Sequence, residues 1–153
     1  MLAYVFWHWP EPQGNPAQYE SRLLDFQKSL AASPPAGFRE SAVFRVQGAP
    51  WLPTPGAAYE EWYLLEGSAA LDPLNDAAVA RAHLAYWVEK PTGTSYGNFY
   101  SLLRPAIRLA GAVLWGRQMV LGPTREFCLH SPEAIELPPG FSAQRTELTR
   151  LWP

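Results

Sequence analysis

The first 84 residues alternate between a strand-like and a helix-like spacing of apolar side chains. Residues 2–9 are β-branched or aromatic and stop at Pro10, which predicts a strand. Residues 38–47 and about 58–66 predict two more strands, because each is a short apolar-rich segment bounded by Pro and Gly. The order of elements is therefore strand, helix, strand, strand, helix.

Two helices are predicted within this order. Asn15-Pro16 predicts the start of the first helix, since Asn is a good N-cap and Pro suits the first helical position. One apolar stripe at helical spacing follows, formed by Tyr19, Leu23, Phe26 and Leu30. Asp72-Pro73 is a second pair of the same type, and it predicts a helix running to about Leu84.

The same order of elements begins again after residue 84. Residues 85–90 predict a strand that ends at Pro91, and residues 92–95 lead into a predicted helix. That helix would carry Tyr96, Phe99, Tyr100 and Leu103 on one side. Residues 112–120 and 126–129 predict two further strands, and Ser131-Pro132 predicts another helix start.

These patterns predict an α+β fold with a mainly antiparallel sheet and a tandem β-α-β-β-α duplication. The chain is interpreted as a single domain over residues 1–153. Its pseudo-repeat covers residues 1–84 and 85–135. A C-terminal tail over residues 136–153 would form a final edge strand.

Repeated strand-helix-strand-strand-helix order resembles the ferredoxin-like fold, and two such units resemble the dimeric α/β-barrel superfamily. That superfamily includes antibiotic-biosynthesis-type monooxygenases. Five segments are also similar to a small family of uncharacterised bacterial proteins: residues 6–10, 43–45, 48–51, 59–63 and 117–123. The resemblance to this family covers nearly the whole chain and implies no particular activity. The resemblance to the superfamily rests on the order of elements, and it implies a monooxygenase-like activity and a homodimer. The duplication could instead let one chain supply both halves of the barrel.

Composition narrows the function classes. Of 153 residues, 48% are hydrophobic and 17% charged, which is typical of a globular domain. Aromatic residues reach 14%, with seven Trp, and this excess indicates a cavity or an interface. The net charge of −2, without any Lys or Arg run, argues against a nucleic-acid-binding protein.

The expected compartment is the cytoplasm. Cys128 is the one cysteine, so no disulfide can form within the chain. The apolar residues 1–10 lack a basic segment and a cleavage site, which argues against a signal peptide. No stretch approaches the roughly 18–20 apolar residues that a membrane span needs, so no membrane association is predicted.

A candidate site follows from strand alternation. His8, Arg45, Glu61 and Tyr63 fall on one predicted sheet face, which we expect to point away from the helices. An imidazole, a guanidinium, a carboxylate and a phenol in an apolar cleft form a plausible acid–base or ligand-orienting set. The second copy offers Trp87, Glu89, Trp115, Arg117, Cys128 and His130, of which Arg117 is the candidate ligand-binding residue.

Structural explanations exist for each of these residues. Arg45 and Glu61 could form a cross-strand ion pair, and His8 could be a histidine with a purely structural role. The tryptophans could fill the core and an interface. Cys128 and His130 lie two residues apart on one predicted strand, too far for a nucleophilic pair, so the thiol is interpreted as inert. No cofactor and no metal site are predicted, since the three histidines are far apart in sequence.

Two functions remain open. The first is a small-molecule-binding protein with an aromatic cavity for a small apolar or aromatic ligand. The alternative is a non-catalytic homodimeric assembly or interaction module whose aromatic sheet face joins two chains. The Pro/Trp loop around residues 51–53 supports the alternative.

Overall fold

A computed structural model describes most of the chain and shows an α+β fold with an antiparallel sheet. The described residues are 1–10, 13–47, 56, 58–81, 93–102, 113–117, 127–130, 136–137, 139–140 and 145–153. For 93–102, 113–117 and 127–130 the backbone alone is described.

Seven strands and two α-helices follow one another along the described part of the chain. They are β1 (Leu2–Pro10), α1 (Pro16–Ala32), β2 (Phe38–Gln47), β3 (Ala58–Leu65), α2 (Leu71–Ala80), β4 (Gly93–Leu102), β5 (Val113–Arg117), β6 (Phe127–His130) and β7 (Glu147–Trp152). The strands form one sheet in the order β6-β5-β4-β1-β3-β2-β7. Every described strand pair is antiparallel. Neither described helix is long and apolar enough to cross a membrane.

Strands β1 and β3 lie at the centre of the sheet and carry the candidate site. Their register places Phe6 opposite Glu61 and His8 opposite Tyr59. Strand β3 is buried on both of its faces, since six consecutive residues, 58–63, are buried. A strand covered on both sides shows no alternation of polar and apolar residues, so its sequence does not indicate which face meets a helix.

Helix α1 covers the face of the sheet that holds His8 and Glu61. The predicted stripe Tyr19, Leu23, Phe26 and Leu30 is buried, as is Gln27. Asn15 is the N-cap, as predicted: its Oδ1 accepts hydrogen bonds from the backbone N–H groups of Ala17 at 3.0 Å and Gln18 at 3.2 Å. Pro16 occupies the first turn, where no N–H is needed. Local capping therefore fixes where α1 begins relative to the sheet.

Replacing Asn15 by Ala is expected to lower the free energy of unfolding by about 1 kcal/mol, because two N–H groups of the first turn lose their acceptor. Urea denaturation followed by circular dichroism measures the change. Gln18→Ala, an exposed substitution in the same turn, is the control and should cost less than about 0.5 kcal/mol. Equal stability of the Asn15→Ala variant and the wild type would show that the cap is dispensable.

The opposite face of the sheet holds a second, largely apolar cluster. Its buried members are Ala3, Val5, Trp7, Val46, Ala58 and Trp62. The buried carboxylate of Glu60 lies among them and accepts hydrogen bonds from the indole N–H groups of Trp7 at 2.7 Å and Trp62 at 2.5 Å. Both faces of the central strands are therefore apolar surfaces with one buried acidic side chain each.

One predicted element is wrong. Residues 93–102 form strand β4 rather than a helix, and β4 pairs with β1 along the whole length of β1. Gly93 and Gly97 each disfavour a helix by about 1 kcal/mol, while Thr94 and the aromatic residues Tyr96, Phe99 and Tyr100 favour a strand. The free edge of β1 also requires hydrogen-bond partners, which a strand supplies. The second half of the predicted duplication therefore lacks its helix here.

Of the other predicted elements, some are confirmed, one helix start is wrong, and some lie outside the described residues. The strands predicted over residues 112–120 and 126–129 are confirmed as β5 and β6, and the tail does form an edge strand, β7. Asp72 is not an N-cap: α2 begins at Leu71, directly after a 3-10 turn, and Asp72 lies in its first turn. The strand predicted over residues 85–90, the helix start at Ser131 and the loop over residues 51–53 lie outside the described residues.

Candidate functional site

The structure brings His8, Glu61 and Tyr63 together, but under a helix. All three share one face of the sheet, as predicted from alternation. The expectation that this face points away from the helices is wrong, since Tyr19 and Gln27 of α1 contact it. Because both faces of β1 and β3 are apolar, the sequence pattern could not decide which one α1 covers.

Glu61 is the centre of the buried polar cluster. Its Oε1 accepts a hydrogen bond from Gln27 Nε2 at 2.9 Å, and its Oε2 accepts one from the Tyr63 hydroxyl at 3.0 Å. Gln27 Nε2 also donates to the Tyr63 oxygen at 3.0 Å. Ser41 donates to Gln27 Oε1 at 2.6 Å, which fixes the orientation of the amide. Each of these side chains is buried, so the carboxyl group is held without solvent.

His8 links Glu61 to helix α1. Its Nε2 lies 3.6 Å from Glu61 Oε2, and its Nδ1 lies 2.6 Å from the Tyr19 hydroxyl. The imidazole stacks on the Tyr59 ring, with centroids 5.7 Å apart and planes inclined by 19°. With the proton on Nε2, facing the carboxylate, Nδ1 accepts from Tyr19. A carboxyl group, an imidazole and a phenol thus follow one another in the order Glu61, His8, Tyr19, which is called the proton-transfer line below.

Burial shifts the protonation equilibria of this cluster. It raises the pKa of the Glu61 carboxyl from its ordinary 4.5 to about 7, although the hydrogen bonds from Tyr63 and Gln27 lower it. Burial also raises the pKa of the Tyr63 phenol well above its ordinary value of 10, and the neighbouring Glu61 adds to that effect. Glu61 can therefore gain or lose a proton near neutral pH while Tyr63 stays a hydrogen-bond donor.

Arg45 lies on β2, next to the strand that carries Glu61, but its guanidinium pairs with a different carboxylate. Its Nε and Nη2 donate to Oε2 of Glu20, on α1, at 3.1 and 2.5 Å. The cross-strand ion pair between Arg45 and Glu61, considered from the sequence, is therefore wrong. The reason is register: Arg45 lies opposite Tyr59, whereas Glu61 lies opposite Val43. Arg45 borders the buried cluster instead of joining it.

Sequence reasoning missed the partners that α1 supplies. The sequence pattern places Tyr19 in an apolar stripe and gives Glu20 and Gln27 no role. Gln27 did carry a signal, because it lies four residues after Leu23 and three before Leu30, which is the buried stripe itself. A polar side chain at such a position must find hydrogen-bond partners inside the protein. The sequence carries no comparable signal for Glu20.

The remaining predicted features are placed as follows. Arg117 is the last residue of β5, and its side chain lies outside the described part of the structure. Within the described part, a shallow depression of about 340 Å³ is lined by Met1, Arg39 and Glu66, away from the His8 cluster. In the same part, no three His, Cys, Asp or Glu side chains are grouped so that they could hold a metal ion.

The Trp-rich face proposed as a dimer interface is already covered in a single chain. Trp7 is 7% exposed and Trp62 is 5% exposed. These two tryptophans are therefore core residues that orient Glu60, and a second chain could not pack directly on them.

Comparisons with known proteins identify no relative of this chain. No protein-family model matches it, no curated protein matches it, and no solved structure matches it.

Proposed function

We propose that this chain is a small-molecule-binding protein that exchanges protons with its ligand through the line Glu61–His8–Tyr19. The observation that carries the proposal is the burial of a carboxyl group 3.6 Å from an imidazole that in turn lies 2.6 Å from a phenol. The same order of groups, acid, imidazole and hydroxyl, activates the hydroxyl in many acid–base sites. Here the hydroxyl is that of Tyr19.

The proton balance of this site is simple. A ligand proton passes to the Tyr19 oxygen as the Tyr19 proton passes to His8 Nδ1. The imidazolium that forms is stabilised by the Glu61 carboxylate. Gln27 and Tyr63 hold that carboxylate in place as hydrogen-bond donors. The reverse transfers restore the resting state.

The energetic cost of burying the ionisable side chains of Glu61 and His8 favours a functional origin for this cluster. Taking an ionisable pair out of water costs several kcal/mol, and well-packed apolar side chains of similar volume are often as stable or more so. Glu61 and His8 nevertheless occupy the two central strands, where an apolar pair would pack well. Buried carboxyl groups with a raised pKa beside a specific partner are concentrated at functional sites.

The surroundings favour an apolar or aromatic ligand, as the aromatic excess of the sequence predicts. The ring centroids of His8, Tyr19 and Tyr59 lie 5.4 to 5.7 Å apart, so the three rings form a buried aromatic cluster. Tyr19 is buried, whereas residues 16–18, which precede it in α1, are exposed, so a ligand would reach the Tyr19 oxygen by displacing the N-terminal turn of α1.

Native mass spectrometry of freshly purified protein tests the binding function, and we expect an additional mass that is lost on denaturation. A fragment library of small aromatic compounds, screened by NMR, should shift the His8 imidazole signals. Tyr19→Phe, which removes one oxygen, should weaken such binding at least tenfold. Tyr4→Phe is the matched control, since Tyr4 is on the same strand as His8 but outside the proton-transfer line.

The binding function is contradicted if no mass is retained and no fragment shifts the His8 signals. The proton-transfer role is contradicted separately if Tyr19→Phe and Tyr4→Phe bind every fragment as the wild type does. The monooxygenase-like activity, the cytoplasmic location and the homodimer stay predictions. An assembly role has no observation in its favour among the described residues, because Trp7 and Trp62 are core residues.

A further inference from the structure

Three hydrogen-bond donors converge on a single carboxylate oxygen beside the His8 cluster. Glu20 Oε2 accepts from Arg45 Nε at 3.1 Å, from Arg45 Nη2 at 2.5 Å and from the Tyr59 hydroxyl at 3.2 Å. The donors come from β2 and β3, whereas the acceptor comes from α1. The sheet thus forms a receptor for a carboxylate, and a side chain of the covering helix fills it.

This receptor is partly open to solvent, unlike the cluster behind it. The Arg45 side chain is 35% exposed and that of Glu20 is 23% exposed. Tyr59 is buried, and burial raises the pKa of its phenol to about 12, so it remains a donor at all physiological pH values. A carboxylate arriving from solvent would meet the guanidinium before it met any buried group.

Tyr59 joins the receptor to the proton-transfer line. Its hydroxyl donates to Glu20, while its ring stacks on the His8 imidazole at 5.7 Å and contacts the Tyr19 ring at 5.4 Å. A molecule with its carboxylate at Arg45 would therefore lay its body along Tyr59, towards His8 and Tyr19. Because the rings of His8, Tyr19 and Tyr59 are buried, such a molecule would reach them only after α1 moves away from the sheet.

We propose that the ligand is a small aromatic or apolar carboxylic acid whose carboxylate replaces that of Glu20 on Arg45 and Tyr59. This inference depends on the proposed function, because it names the class of molecule that reaches the His8 cluster. Glu20 then acts as an internal competitor that occupies the receptor when no ligand is bound. Release of Glu20 from Arg45 also frees the N-terminal part of α1, which carries Tyr19, to move outwards.

Benzoate and its neutral analogue benzamide are suitable probes, titrated into the full chain and followed by NMR signals of Arg45 and His8. We expect benzoate to bind at least tenfold more tightly than benzamide. Arg45→Gln should remove this preference. Glu20→Gln should strengthen benzoate binding about tenfold, since the competing charge is gone. Asp25→Asn, which removes an exposed carboxylate of the same helix, should change nothing.

The inference is overturned if benzamide binds as tightly as benzoate, or if Arg45→Gln leaves benzoate binding intact. It is also overturned if Glu20→Gln shows no benzoate binding at millimolar concentration. In each of these cases the proposed function survives if benzamide or a retained neutral compound shifts the His8 signals. It fails together with the inference if no probe shifts them and no mass is retained.

Discussion

The free energy of unfolding of the wild-type chain should fall by roughly 3 kcal/mol, relative to a Glu61→Gln variant, as the pH rises from about 4.5 to just above 7. Glu61 is fully buried, and its pKa rises from 4.5 when solvated to about 7 in the folded chain. A difference of this size between the two states corresponds to roughly 3 kcal/mol. Urea denaturation at a series of pH values measures it.

The sign follows from proton binding. Between pH 4.5 and 7 the folded chain keeps the Glu61 proton while the unfolded chain releases it, so each rise in pH favours the unfolded state. Below pH 4.5 both states are protonated and above pH 7 both are ionised, so the difference between variant and wild type is constant there. The amide introduced by Glu61→Gln does not titrate, and it can still form a hydrogen bond with Tyr63.

Several ionisable groups face Glu61 and need separate treatment. His8 lies 3.6 Å away, Tyr63 donates to the carboxyl group, and Tyr19 bonds to His8. The same comparison in a His8→Gln background removes the contribution of the imidazole. A stability difference between wild type and Glu61→Gln that stays constant from pH 4 to 8 in both backgrounds would disprove the raised pKa.

Gln27→Ala should lower the free energy of unfolding by about 3–5 kcal/mol, the largest loss we expect from any single substitution in α1. The amide is fully buried and makes three hydrogen bonds, to Glu61, Tyr63 and Ser41. Its removal leaves buried polar groups without a partner and opens a cavity between helix and sheet. Chemical denaturation at pH 7 gives the value.

Two comparisons make the Gln27 prediction specific. Gln18→Ala removes the same side chain from an exposed position of α1 and should cost less than about 0.5 kcal/mol. Gln27→Glu keeps the size but places a second carboxyl group beside Glu61, so its instability should grow as the pH rises. A Gln27→Ala chain that is as stable as the Gln18→Ala chain would show that the amide does not tie α1 to the sheet.

The parts of this fold that follow from the sequence depend on local signals. Asn15-Pro16 places the start of α1 correctly because capping involves only the next three residues. The apolar and aromatic residues of 2–9 and 38–47, each bounded by Pro or Gly, predict β1 and β2 because these signals act within a few residues. The helix predicted over the residues of β4 is wrong because pairing with β1, and not the local spacing of apolar residues, determines the conformation of that segment.

The candidate site was predictable only in part for a related reason. Strand alternation puts His8, Glu61 and Tyr63 on one face, which the register confirms. Which face α1 covers depends on how helix and sheet dock, and a strand buried on both sides carries no mark of it. Tyr19 and Glu20 belong to the site only because α1 packs on this face, so no pattern on β1 or β3 could predict them.

The strand order has a consequence for how fast this molecule can fold. Strands that carry the site have neighbours far away in sequence: β4 lies beside β1, and β7 lies beside β2, where Thr146 bonds to the Gln47 carbonyl across 99 residues. Closing such long loops precedes the contacts that compensate for the lost chain entropy. The chain should therefore fold slowly for its size, in milliseconds to seconds, with the strands around Arg45 completed only when β7 pairs with β2.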